Sequence, residues 1–73
     1  MMDGYEELAN AIVLMAVRDY RQAARQLRRS GNYQPAIRMK RDVEQFFHSE
    51  WFSRLTRLDG VRLLERLRSE VAA

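Results

Sequence analysis

The chain has 73 residues, a net charge of +3 from 13 basic and 10 acidic side chains, 47% hydrophobic residues and no Cys. A domain this small buries only about 60% of its unfolded surface, which argues against a deep catalytic cleft, and without Cys neither disulfides nor thiolate zinc can staple it. Regular helix packing or a second copy of the chain is left to complete the core.

The first residues, MMDGYEEL, place three acids ahead of Leu8, whereas a secretory leader opens with a basic residue before an apolar stretch. The longest apolar run, 11–17, has seven residues, against the roughly 18 to 20 that span a bilayer. A cytoplasmic protein without a membrane segment is the expectation. From Tyr5 the series Tyr5, Ala9, Ile12, Ala16, Tyr20, Ala23, Leu27 steps by four and three, the spacing of one helical face. This predicts a helix over about 4–29, roughly 37 Å long at about 1.5 Å per residue. Three shorter helices do not easily cover that length. The segment AIVLMAV is apolar on more than one side, with Leu14 on the otherwise polar face, which points to a shared interface with a protein partner or a second copy.

Ser30-Gly31-Asn32 is the predicted stop, with Gly31 free to take the left-handed conformation, and Pro35 suits the first turn of a second helix over about 35–48. Ser49 ends that helix and caps a short third one over about 50–55. Thr56-Arg57-Leu58-Asp59 resembles a capping box, although Asp59 could itself be the cap, and a last helix follows over about 57–71. Its apolar stripe is Gly60, Leu63, Leu64, Leu67 and Val71. The fold class is all-α: one domain, a small bundle of three to four helices with a long N-terminal member.

FFHSEWF, residues 46–52, holds four of the seven aromatics and the only Trp and His. The rings continue the face of Met39 and Val43 and are expected to anchor the core, so that Trp51→Ala or Phe52→Ala costs on the order of 3 to 5 kcal/mol. His48 has only Glu44 and Glu50 near it in sequence, too thin a set for a metal site, and no nucleophile set or Gly-rich phosphate loop stands out. The expectation is no enzyme, no catalytic or metal residues, no cofactor and no small-molecule substrate. Asp19 is the single charge within the apolar arc of the first helix. A buried carboxylate needs a counter-charge, with Arg62 and Arg54 as the candidates.

Charge is unevenly spread: −3 over residues 1–17, +7 over 18–41 and −1 over 42–73. Arg18, Arg21, Arg25, Arg28 and Arg29 lie within about 100° of arc at 100° per residue. The stripe reads either as an electrostatic surface, extended by Arg38, Lys40 and Arg41, or as a solvated face rich in a good helix former. The candidate partner-binding residues are Arg18, Arg21, Arg25, Arg28 and Leu14. A nucleic-acid partner is the alternative reading of the same stripe, and a structural domain without a specific ligand is a third.

Tyr5 to Ile12, Asp19-Tyr20-Arg21, Phe46 to Phe52 and Leu55 to Gly60 together resemble a group of small uncharacterised proteins encoded in prophages and conjugative elements of Gram-positive bacteria. The likeness covers most of the chain except 30–41. It implies a mobile-element context and action by binding, and it assigns no site residue.

Overall fold

The computed structural model describes residues 3–72, apart from the side chains of 71 and 72, and therefore that of Val71. Among these residues it contains four helices and no strand: α1 (Gly4–Arg29), α2 (Gln34–His48), α3 (Glu50–Leu55) and α4 (Gly60–Ala72). The all-α bundle with a long first helix is the architecture expected from the periodicity. Among the described residues no helix is long and apolar enough to cross a membrane.

Helix α1 begins at Asp3, whose carboxylate accepts the Glu6 N–H at 2.8 Å, while Glu6 and Glu7 oppose the positive end of the helix dipole. Arg28 and Arg29 complement its other end. Ser30 then turns extended, its own N–H bonding the Gln26 carbonyl at 3.0 Å. Gly31 does not adopt the left-handed conformation expected of it, since no described residue has positive φ. The break is made by the extended Ser30 and by the Tyr33 N–H bonding the Ser30 carbonyl at 3.1 Å. Pro35 lies in the first turn of α2, where its missing N–H has no intrahelical acceptor to lose.

Ser49 serves both of its neighbours. Its hydroxyl donates to the Phe46 carbonyl at 2.6 Å and accepts the Phe52 N–H at 3.2 Å, closing α2 and opening α3. The final helix starts three residues later than expected, because Asp59 and not Thr56 caps it. Asp59 Oδ1 accepts from the Val61 and Arg62 N–H groups, whereas the Thr56 hydroxyl is taken by the Leu58 N–H in a tight turn. Arg57 and Leu58 therefore lie outside α4, and Leu58 is exposed.

The helices α1 and α2 form an antiparallel hairpin, and α4 packs along one side of it. Val13 and Tyr20 of α1, Val43 and Phe47 of α2, Phe52 of α3, and Leu64 and Leu67 of α4 make one core. Tyr20 lies fully inside at 0% exposure, its hydroxyl 3.4 Å from Glu44 Oε2, which also accepts from Arg68 at 3.1 Å. Burial, followed by the nearby Glu44 charge, raises the Tyr20 pKa. Phe46, Phe47 and Phe52 pack with ring centroids 5.3 to 5.7 Å apart and tilted or edge-on geometry.

The aromatic corner is the core anchor with one correction. Trp51 is 59% exposed, and only Phe47 and Phe52 of that stretch are buried. Met39, whose face the rings were expected to continue, is also exposed. On α1, Tyr5 leaves the apolar stripe for solvent, its hydroxyl 3.4 Å from the Arg54 carbonyl.

Candidate functional site

Helix α1 runs nearly the full 42 Å of the molecule, which is only 21 by 19 Å across. A helix that long presents several faces, and α2 and α4 cover only part of its circumference. Two of the uncovered faces carry the candidate site residues.

The first is the Arg face. Leu14 is 58% exposed, and Arg18 and Arg25 follow on the same side with no ion pair among the described residues. Arg28 is exposed at the last turn. Arg21 is committed elsewhere: its Nε and Nη2 donate to the two Glu70 carboxylate oxygens of α4, both at 3.0 Å. The stripe thus comprises one cation that ties α1 to α4 and two, Arg18 and Arg25, that face outward without an ion pair among the described residues. The sequence alone did not separate them, since Glu70 lies 49 positions away.

The Arg21 pair makes a prediction about acid. Hydrogen bonds from Arg21, set against a smaller opposing effect of desolvation, hold the Glu70 carboxyl below its ordinary value. A carboxylate lowered on folding contributes stability that is fully present above its unfolded pKa and is lost as pH falls through the lower folded value. Wild type should therefore lose more stability than Glu70→Gln on acidification through the carboxylate range, read by thermal melts at stepped pH. Equal losses would show that the pair contributes nothing. Because both partners are exposed, the difference should shrink with added salt.

The second face is a groove between α1 and α2, about 380 Å³ in volume, with Ile12, Met15 and Ala16 on one wall and Met39, Val43 and Phe46 on the other. Two carboxylates, Asp19 and Asp42, complete the lining. Met15 is 62% exposed and Met39 40%. The pairing of Asp19 with Arg62 or Arg54 expected from its place in the apolar arc does not form. Arg54 reaches Glu50 at 4.0 Å within its own helix, and Asp19 stands half-buried at the groove with no ion pair among the described residues. This groove is the functional candidate that sequence reasoning missed. Its trace was there: Met15 widens the apolar arc of α1 beside Ile12, and Met39 and Phe46, seven apart, share one edge of α2.

The aromatic stretch supplies no reactive constellation. His48 is exposed, and among the described residues no three His, Cys, Asp or Glu side chains gather as metal ligands would. Compared with protein-family models, curated proteins and solved structures, the chain shows no match.

Proposed function

We propose that this is a non-enzymatic interaction protein that binds a protein partner, or a second copy of itself, through α1. The supporting observation is the exposure of large apolar side chains along one helix: Leu8, Leu14 and Met15 are each about three-fifths exposed, although α1 belongs to a core that buries Val13 and Tyr20. Single exposed apolar residues are ordinary on a protein surface, but three within two turns, on more than one face, suit a helix meant to be covered further. Arg18 and Arg25 beside Leu14 supply steering and charge pairing at the rim of such a contact. The mobile-element setting and a cytoplasmic location belong to the same proposal.

Affinity capture from the native host, with wild type beside a Leu14→Glu, Arg18→Glu, Arg25→Glu variant, tests this reading. Arg21 is left intact so that α4 stays docked. Wild type should retain a protein that the variant loses, or sediment as a dimer where the variant is a monomer. Identical capture and identical monomeric sedimentation would overturn the reading. Retention of wild type on heparin or duplex DNA that vanishes between roughly 50 and 200 mM salt would replace it with nucleic-acid binding.

A further inference from the structure

The α1–α2 hairpin has two long sides, and only one is occupied. Helix α4 fills the first side with Leu64 and Leu67, three residues apart, and fastens its rim with charge: Glu70 to Arg21 of α1 and Arg68 to Glu44 of α2. At 100° per residue, Asp19 lies about 200° round α1 from Arg21, and Asp42 about 200° round α2 from Glu44. The groove they line is therefore on the opposite side from α4, and no α4 residue contributes to it. It repeats the ingredients of the filled side, apolar walls with ionisable residues at the rim. On this side both rim charges are acidic, and neither is paired among the described residues.

We propose that this open groove docks an amphipathic, cationic helix from a partner protein, with apolar anchors three and four residues apart between Met15 and Met39 and Lys or Arg placed to meet Asp19 and Asp42. The proposal rests on the reading of the protein as an interaction module and specifies the surface and the partner's chemistry. Helix-in-groove recognition uses the i, i+3, i+4, i+7 anchors that α4 already applies to the same hairpin. Met side chains suit such a surface because unbranched thioethers repack around different knobs. Charge decides between occupants. A second copy joined groove to groove would bring two Asp from each chain into one apolar contact, with no cation in the lining to offset them. A cationic helix pairs both.

The test uses the intact protein and two synthetic amphipathic helices of about 18 residues, long enough to be helical in isolation, with Leu anchors and either Lys or Glu at the flanks. Methyl-labelled Met reports the site, since Met15 and Met39 face each other across the groove. The Lys helix should shift both methyls and the Glu helix should not. The whole protein carries +3, so unspecific attraction would favour the Glu helix, and the opposite preference isolates the local charge. Asp19→Asn with Asp42→Asn should weaken the Lys helix about threefold to tenfold at low salt while leaving the melting temperature within a degree or two. Unmoved methyls, equal binding of both helices or undiminished binding to the Asn variant would overturn the proposal. So would methyl shifts that track protein concentration without peptide, which would mean a second copy occupies the groove. Failure here, with capture through the Leu14, Arg18 and Arg25 face intact, would remove the groove and leave the interaction reading standing.

Discussion

Gly60→Ala should destabilise the protein by about 2 kcal/mol or more, a cost of overpacking, although alanine is the better helix former by about 1 kcal/mol. A Cβ at Gly60 would collide with the Phe47 carbonyl oxygen and lie 3.1 Å from its carbon and 3.0 Å from Phe52 Cδ1. The obstruction is backbone on one side and a ring locked among other rings on the other, so neither yields cheaply. To relieve it α4 must move outward, and Leu64 and Leu67, which are 1% and 2% exposed, would lose contact with Tyr20 and Val43. Total stability for this length is about 4 to 11 kcal/mol, and each kcal/mol is worth about 4 to 8 °C for so small a domain. The expected fall in melting temperature is then about 10 °C or more. Gly4→Ala and Gly31→Ala are the controls. Nothing lies within 4 Å of a Cβ at Gly4, and the nearest neighbour of one at Gly31 is the Leu27 carbonyl oxygen at 3.9 Å. With φ negative at both, neither substitution should cost more than about 0.5 kcal/mol. A Gly60→Ala protein that melts at or above wild type would mean that α4 does not approach the α2–α3 corner as closely as described.

The importance of Gly60 was half legible. Its place in the apolar stripe of the last helix marked a position facing the core, but the stripe does not say that a backbone carbonyl waits there, because Phe47 is thirteen residues away and on another helix. The same distinction runs through the fold. The extents of α1, α2 and α3 follow from local chemistry: apolar spacing, the Pro35 turn and the Ser49 hydroxyl. The start of α4 was displaced because two capping residues competed within four positions. Asp59 won by accepting two N–H groups, while Thr56 spent its hydroxyl on Leu58.

Which faces meet each other was the illegible part, and the candidate sites depend on it. Arg21 and Arg25 are the same residue type one turn apart, yet Arg21 faces Glu70 and Arg25 faces water, a difference set by where α4 lies. Asp19 looked like a buried charge in need of a counter-ion, since it falls within the apolar arc. Helix α4 covers only the far side of that arc, so the near side remains a groove, and Asp19 lines it half-buried with no ion pair among the described residues. An amphipathic pattern reports how wide an apolar face is, not how much of it the same chain covers.

Phe52→Ala should cost about 3 to 5 kcal/mol, whereas Trp51→Ala should cost less than about 1 kcal/mol, and the two adjacent substitutions together locate the core. Phe52 is 2% exposed and meets Phe46 and Phe47 at centroid distances of 5.4 and 5.3 Å, so its removal opens a cavity bounded by two rings and the start of α4. That loss is about a third or more of the domain's stability, so the melting temperature by circular dichroism should fall by about 12 °C or more, with the sharp transition lost altogether if the wild type lies at the low end of its range. Trp51, by contrast, sits in the first turn of a six-residue helix whose buried residues are Phe52 and Leu55. Leu55 lies about 40° from Trp51 and 60° from Phe52 round the helix, so only the Phe52 side of that arc reaches α2, and the indole is left at the outer edge. Tryptophan fluescence offers an independent check, because an exposed indole should be readily quenched by iodide in the folded protein and change little on unfolding. A sharp, near-wild-type melt for Phe52→Ala, or a Trp51→Ala protein as damaged as Phe52→Ala, would place the core on the other side of α3 and undo the contact of Phe52 with Phe46 and Phe47.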